Sequence, residues 1–283
     1  MTNILSYKFI DNHSENTILF LHGWGCNKQY MFPLSHSNNY NSLIIDLPGF
    51  GDNPKLSYPY HLNDFVEDIL LFINTSNLKI NYIVGHSFGG KLACRLSNFV
   101  KIKGLILISA SSFHKIRGPL YYIKVLLYKL IKKFRLFKKI TNKMGSKDYK
   151  DLSPIMKKTM SNIINEPITK DIKKIIVPTI LLYGNNDKIT PLYIAKKTKK
   201  HIKDCELIIL KGNHFAYLYN KTQVIKIIES LVSSTWSLFF LFWIFCCFTI
   251  SFLLKIIFCK NNIIVTKDIF FIYLNTNIFY LHR

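Results

Sequence analysis

Acidic residues are scarce in this chain of 283 residues. It carries 16 Asp and Glu against 38 Lys and Arg, which gives a formal net charge of +22. Such an excess normally indicates an anionic partner: nucleic acid, acidic lipid or acidic protein. The excess is nearly all lysine, and the chain is also rich in Asn and Ile, so A/T-rich codon usage explains much of it. No RRM, zinc-finger or helix-turn-helix pattern is present, and we expect no nucleic-acid partner.

Paired cysteines are lacking as well. The six cysteines show no C-x-x-C spacing, which argues against both a zinc site and a disulfide framework. Free thiols suit a reducing compartment. Nothing at the amino end resembles a signal sequence. We therefore expect a cytoplasmic catalytic domain.

The most informative motif is Gly-x-Ser-x-Gly at residues 85–89, where an apolar strand runs straight into a helix-compatible stretch. On so sharp a turn, Ser87 is held in a strained backbone conformation with its hydroxyl exposed. Gly85, Gly89 and Gly90 are required because a side chain there would clash with the neighbouring strand or helix. The pattern is a nucleophile elbow and indicates a serine hydrolase with Ser87 as nucleophile.

A serine nucleophile needs a base, and the base needs an orienting carboxylate. In hydrolases with this elbow, the chain order is Ser, then Asp or Glu, then His. Asp187 follows a predicted strand at 178–183, and His214 follows another at 205–210. Open α/β sheets gather their chemistry beyond such strand ends. We therefore predict Asp187 as the acid and His214 as the base.

A second glycine-rich turn supplies an oxyanion hole. The apolar run 17–21 ends in His22-Gly23-Trp24-Gly25, and the backbone N–H groups of Trp24 and Phe88 are the predicted donors. Asp46 also ends a strand, but its place before the elbow favours a turn-stabilising role. The residues predicted to support the site are His22, Gly23, Gly25, Gly85, His86, Gly89 and Gly90. We expect the two histidines to hydrogen-bond the loops.

With these motifs, and with the turn Asp-Leu-Pro-Gly-Phe-Gly at 46–51, the chain resembles the α/β-hydrolases, in particular the small bacterial serine esterases with a helical lid. The resemblance runs from about residue 4 to residue 232. It implies a mostly parallel central sheet flanked by helices, with a helical lid inserted after the fifth strand. One departure is Asn53, where members of the family often have a serine. The same skeleton serves carboxylesterases, lipases, thioesterases, carbon–carbon bond hydrolases and some lyases.

The element pattern alternates between strand and helix, as in an α/β fold. Predicted strands lie near 4–10, 17–21, 42–46, 80–84, 104–109, 178–183 and 205–210, and predicted helices near 61–75, 88–98, 120–140, 154–164, 191–200 and 221–232. We assign residues 1–110 and 171–232 to the hydrolase core, 111–170 to the lid, and 233–283 to a hydrophobic tail.

The predicted lid helix at 120–140 is amphipathic and basic. Its apolar residues recur at helical spacing, while one arginine and six lysines supply seven positive charges with no negative charge. An apolar stripe here most simply covers the active site. The basic remainder suits a membrane surface or an acidic partner, and an acyl carrier protein is one such partner.

The tail contains an uncharged apolar segment at 236–254, long enough to span a bilayer. We predict a carboxy-terminal membrane anchor there. Lysines flank both sides, so the positive-inside rule leaves its orientation open. The alternative is that the tail is translated A/T-rich read-through.

The predicted function is hydrolysis of an ester or thioester with a hydrophobic acyl group, through an acyl-enzyme on Ser87. This chemistry requires no metal and no cofactor. The alternatives are an esterase for acyl methyl esters linked to a carrier protein, a lyase or carbon–carbon bond hydrolase using the same triad, and a membrane-tethered binding protein without activity.

Overall fold

A seven-stranded sheet forms the core of the part of the chain that the structure describes. The structure, a computed structural model, describes residues 5–115, the isolated positions 123 and 126, and 151–233. The strands are β1 (Tyr7–Ile10), β2 (Thr17–Leu21), β3 (Asn41–Ile45), β4 (Tyr82–His86), β5 (Gly104–Ile108), β6 (Thr179–Gly184) and β7 (Cys205–Leu210). Their spatial order is β1-β3-β2-β4-β5-β6-β7, and all neighbours pair in parallel except β1 with β3.

Parallel strands need crossover connections, which are usually helical. The helices in the described residues are α1 (Leu62–Ser76), α2 (Phe88–Leu96), α3 (Pro154–Asn165), α4 (Thr169–Lys173), α5 (Leu192–Lys199), α6 (Ala216–Tyr219) and α7 (Lys221–Val232). Two single 3-10 turns, Lys28–Tyr30 and Phe32–Leu34, lie between β2 and β3. The five strands from β2 to β6 are buried along their whole length. This burial explains why they read as continuous apolar runs rather than alternating patterns.

The predicted core elements are confirmed, with boundaries that differ by at most three residues. The first strand begins at Tyr7 rather than at residue 4, and the predicted helix at 154–164 is α3. The predicted helix at 120–140 and the segment 236–254 lie outside the described residues, apart from positions 123 and 126. Across the part of the chain that is described, no helix is both long and apolar enough to cross a membrane. The lid and the membrane anchor therefore stay predictions.

The helix that follows the elbow is tied to α3 by buried cations. Lys91 of α2 donates to the carbonyls of Ile163 and Glu166, the latter at 2.7 Å. These carbonyls lie at the end of α3, where the last turn leaves acceptors without intrahelical partners. Arg95 adds ion pairs to Glu166 and, at 3.0 Å, to Asp171. The connection between β5 and β6 is thus fixed directly to the helix that follows Ser87.

The Lys91 charge gives a pH-dependent stability that can be measured. Burial lowers the pKa of Lys91 to about 8, although Glu166 opposes the shift. The unfolded chain holds the proton up to about pH 10.4, so it binds more protons than the folded protein between these values. We expect the unfolding free energy of the wild type, minus that of Lys91→Met, to rise by about 2 kcal/mol from pH 8 to pH 10.4. Urea denaturation at both pH values measures this difference, and a decrease would contradict burial of the charge.

Candidate active site

The elbow at Ser87 has the backbone strain expected from its sequence. β4 ends at His86, α2 begins at Phe88, and Ser87 between them adopts φ 53° and ψ −109°. A non-glycine residue in this region costs on the order of 1–3 kcal/mol, and such strain concentrates at functional sites. A Cβ at Gly85 would lie 2.5 Å from the Gly89 carbonyl, and one at Gly89 would overlap the carbonyl of Leu21. Only glycine permits this close crossing of strand, turn and helix.

Asp187 and His214 form a buried pair at the same edge of the sheet. Asp187 follows β6 and His214 follows β7, and His214 Nδ1 lies 2.9 Å from Asp187 Oδ2. The other oxygen, Oδ1, accepts from the backbone N–H groups of Ile189 at 2.8 Å and Thr190 at 2.9 Å. Burial alone would raise the pKa of Asp187, but the bonds from His214 and Thr190 lower it to about 2. A carboxylate that stays ionised can fix the proton on Nδ1 and leave Nε2 as a base.

His86 links the loop that carries His214 to the elbow at Ser87. Its Nε2–H donates to the backbone carbonyl of His214 at 3.1 Å, and the two imidazole rings are 4.8 Å apart. This contact holds His214 beside the residue that precedes Ser87. The Ser87 hydroxyl itself lies 3.4 Å from Ser111 Oγ, and no hydrogen bond within the described residues joins it to His214. Catalytic hydrogen bonds are often long before substrate binds.

The turn after β2 lies directly against the elbow. A Cβ on Gly23 would be 3.3 Å from Ser87 Cβ and 2.9 Å from His86 Nδ1. Within the described residues, the backbone N–H groups of Trp24 and Phe88 donate no hydrogen bond to a protein acceptor. Phe88 also opens α2, where the helix dipole favours negative charge. Both groups are therefore available to bind an oxyanion.

Aromatic side chains pack around Trp24 in the turn after β2. Trp24 packs edge-on against Phe50, with ring centroids 4.9 Å apart, and against Phe88 at 5.7 Å. Phe65 continues the contact behind Phe88 at 5.1 Å. Rings in such arrangements form a stable apolar wall. Phe50, Phe65 and Phe88 are buried, and Trp24 is the partly exposed ring of this wall.

The two flanking histidines hydrogen-bond the loops, as the sequence predicts. His22 donates from Nδ1 to the Gly23 carbonyl at 2.8 Å and accepts at Nε2 from the Leu47 N–H at 2.9 Å. Burial lowers the pKa of His22 to about 4 and that of His86 to about 3. Both rings are neutral at physiological pH and brace the turns around Ser87.

Asp46 stabilises a turn, which confirms the interpretation from its position. It accepts from the backbone N–H of Lys28 at 2.7 Å and of Asp52 at 3.0 Å, and it pairs with the Lys28 ammonium at 2.7 Å. Asn53, at the position that departs from the family pattern, accepts from the Ser6 N–H and donates to the Asp46 carbonyl at 2.7 Å. It therefore supports the same turn.

Two hydroxyl residues at the site carry no motif and were missed from the sequence. Ser111 follows β5, and its Oγ lies 3.4 Å from Ser87 Oγ. Thr190 Oγ1 lies 2.7 Å from Asp187 Oδ2, 3.0 Å from the Ser109 carbonyl and 3.3 Å from His214 Nδ1. The only sequence signal for Thr190 is its place three residues after Asp187 and just before Pro191.

Removing the Thr190 hydroxyl tests its support of the acid. In Thr190→Val, Asp187 loses a donor, so we expect a stability loss of about 1–2 kcal/mol at pH 7 and a rise in the pKa of Asp187 from its low value. The pH-dependent loss of stability in acid should then be smaller than in the wild type and should end at a higher pH, because the folded pKa of Asp187 sets its lower limit. Urea denaturation between pH 2 and pH 7 measures both effects. Thr75→Val, which removes a hydroxyl bonded to carbonyls of α1, is the control.

The chain is similar to known proteins in sequence and in fold. Residues 18–226 match the model of the alpha/beta hydrolase family. The chain is 25% identical to the AB hydrolase superfamily protein YisY of Bacillus subtilis, over 77% of this chain and 91% of that protein. It is 27% identical to the pimeloyl-[acyl-carrier protein] methyl ester esterase of Wigglesworthia glossinidia brevipalpis, over 80% and 96%. Among solved structures, an esterase from Exiguobacterium antarcticum superposes with a TM-score of 0.65 at 20% identity, over 81% of this chain and 96% of that one.

Proposed function

The chain belongs to the alpha/beta hydrolase family and is a hydrolase of the esterase-like kind; from this premise we propose that it cleaves an ester or thioester of a hydrophobic acyl group through a Ser87–His214–Asp187 triad. The observation that carries the proposal is the strained backbone of Ser87 at the end of a central strand, with φ 53°. Such strain concentrates at functional sites, and on a strand-to-helix turn it would present the serine as a nucleophile.

In the proposed reaction, Ser87 Oγ attacks the acyl carbonyl carbon while His214 Nε2 takes its proton. The N–H groups of Trp24 and Phe88 stabilise the resulting oxyanion. His214 returns the proton to the leaving group, and an acyl ester remains on Ser87. Asp187, ionised and buried, fixes the His214 tautomer and stabilises the imidazolium. Water then hydrolyses the acyl-enzyme by the same proton transfers in reverse.

The hydrophobic acyl group is proposed from the wall formed by Trp24, Phe50 and Phe88. A p-nitrophenyl ester series of increasing acyl length tests this part of the proposal. We expect kcat/KM to rise with each methylene that the wall covers, by up to about fourfold for 0.8 kcal/mol per buried CH₂. Rates that fall from acetate onward would contradict an apolar acyl site.

Covalent labelling tests the nucleophile directly. A fluorophosphonate probe should label the full-length wild type at one site, and Ser87→Ala should remain unlabelled. Equal labelling of both proteins, or none of the folded wild type, would overturn the proposal. Strong labelling combined with very slow hydrolysis of every ester in the series would favour the lyase or carbon–carbon hydrolase alternative.

A second candidate is an esterase for acyl methyl esters linked to a carrier protein. The Wigglesworthia relative is named for this activity. Cations at the rim near Asp187 support it: Lys115 Nζ donates to the Lys188 carbonyl at 2.6 Å, and Lys197 Nζ lies 4.3 Å from the centre of the Phe113 ring. A basic rim favours encounter with an acidic partner.

Rim variants separate the two candidates. If a carrier protein docks here, Lys115→Met and Lys188→Met should lower kcat/KM for a carrier-linked methyl ester by about three- to tenfold at low salt, without changing that for a small ester. Lys101→Met is the matched control. This exposed lysine precedes β5, so it lies at the amino end of the parallel strands, whereas Asp187 follows the carboxyl end. Equal effects of all three variants would argue against carrier docking at the rim.

A further inference from the structure

Several hydrogen bonds fix the backbone of the segment after β5, residues 109–111. Ser109 has a left-handed backbone, with φ 45°. Its N–H donates to the Leu182 carbonyl at 2.8 Å, and its own carbonyl accepts from Thr190 Oγ1 at 3.0 Å. The Tyr183 hydroxyl donates to the Ala110 carbonyl at 2.8 Å. Strained backbone persists only where its surroundings hold it in place.

This segment presents one hydroxyl to the nucleophile. The Ser111 N–H donates to the Ser87 carbonyl at 3.0 Å, and Ser111 Oγ lies 3.4 Å from Ser87 Oγ. Its neighbour Ser112 is buried and instead bonds Thr198 at 2.5 Å. Ser111 is partly exposed, and within the described residues Ser87 is the hydrogen-bond partner of its side chain. The hydroxyl is thus fixed on the side of Ser87 opposite the oxyanion turn, since β5 and β2 flank β4.

Acylation changes what this hydroxyl can bind. In the free enzyme, Ser87 Oγ is a hydroxyl that donates and accepts. In the acyl-enzyme it is an ester oxygen, which has no proton to donate and is a weak acceptor. The Ser111 hydroxyl therefore becomes available next to the acyl carbonyl, and a polar group in that position is satisfied by water.

Resting on the proposed function, we propose that Ser111 is a positioning residue for deacylation, which holds the hydrolytic water between its own hydroxyl and His214. In this step the water oxygen bonds to the acyl carbonyl carbon while His214 Nε2 takes a water proton. The bond from that carbon to Ser87 Oγ then breaks, and His214 returns the proton to Ser87. The products are the free carboxylic acid and the regenerated serine.

The experiment separates acylation from deacylation. With p-nitrophenyl butyrate, the burst of p-nitrophenol reports acylation, and the mass of the quenched protein reports the acyl-enzyme. For Ser111→Ala we expect an acylation rate within about threefold of wild type and a deacylation rate about tenfold lower, the value of one lost hydrogen bond. The acyl group should accumulate on Ser87, and hydroxylamine should divert more of it than in the wild type.

Variants that keep or move the hydroxyl complete the test. Ser111→Thr should restore deacylation to within about threefold, and Ser112→Ala should leave the ratio of the two rates unchanged, because its hydroxyl bonds Thr198 instead. If Ser111→Ala does not fold, Ser111→Cys, a weaker donor, replaces it. Equal slowing of both steps, slowing of acylation alone, or normal deacylation would overturn the inference. A wild type that forms no acyl-enzyme at all would instead overturn the proposed function.

Discussion

Ser87→Ala should lower kcat for an ester substrate by a factor on the order of 10⁶, the effect of removing a triad nucleophile. Alanine cannot form the acyl-enzyme, while the N–H groups of Trp24 and Phe88 and the aromatic wall remain. A residual rate of about 10³ to 10⁴ over the uncatalysed reaction should therefore persist. Steady-state kinetics of purified full-length protein measure the loss. A decrease below tenfold would rule out Ser87 as nucleophile.

A glycine at the same position separates chemistry from strain. Ser87→Gly should be as inactive as Ser87→Ala, but it has no Cβ to oppose the left-handed backbone at φ 53°. We expect its unfolding free energy to exceed that of Ser87→Ala by about 1–2 kcal/mol, after allowance for the greater entropy of glycine in the unfolded chain. Equal stabilities would mean that the elbow stores little strain.

Asp187→Asn should reduce kcat by a factor of about 10⁴, because an amide in this position favours the wrong tautomer of His214. The carboxylate accepts from His214 at 2.9 Å and stays ionised because its pKa is held at about 2. KM should change little, since Asp187 does not contact the aromatic wall. The pH dependence of kcat/KM, measured alongside the rate, reports the base that the carboxylate orients.

Asp46→Asn is the matched control for Asp187. Both aspartates are buried and follow strands, and Asp46 is bonded to Lys28 and Asp52. The control should lose about 1–3 kcal/mol of stability while keeping kcat within about threefold. A decrease in kcat as large as that of Asp187→Asn would indicate that Asp46, and not Asp187, is the acid of the triad.

The stability of the protein in acid gives an independent test of the ionisation of Asp187. Its folded pKa of about 2 lies below the unfolded value near 3.9, so the ionised carboxylate contributes about 3 kcal/mol above pH 4. That contribution is lost as the pH falls towards 2. The unfolding free energy of the wild type minus that of Asp187→Asn should accordingly be constant above pH 4 and decrease below it. Denaturant titrations at pH 2.5 and pH 6 measure this change.

Much of this architecture can be predicted from local patterns in the sequence. Continuous apolar runs predict β2, β4, β5 and β6 because a parallel strand covered on both faces contains no polar alternation. The glycines around Ser87 predict the elbow, because only glycine allows strand and helix to approach so closely. The order of Asp187 and His214 after later strands predicts which side chains face each other. Each of these signals lies within a few residues of chain.

Other features depend on contacts between residues far apart in the chain, and no local sequence pattern predicts them. Lys91 reads as a surface lysine, yet it bonds carbonyls 72 and 75 residues away. Thr190 and Ser111 are ordinary hydroxyl residues until the sheet brings them to Asp187 and Ser87. Their roles come from the order in which the strands assemble.

By itself, the sequence determined the fold class, the elbow at Ser87 and the identity of the acid and base candidates, because backbone geometry and strand burial restrict which residues can occupy those positions. Only the tertiary structure decided how Asp187 is kept ionised, which turn Asp46 supports, and which hydroxyl meets Ser87 Oγ. These features depend on side-chain distances across neighbouring strands. A hydroxyl or ammonium group can hydrogen-bond many kinds of partner, and packing determines which one lies within reach.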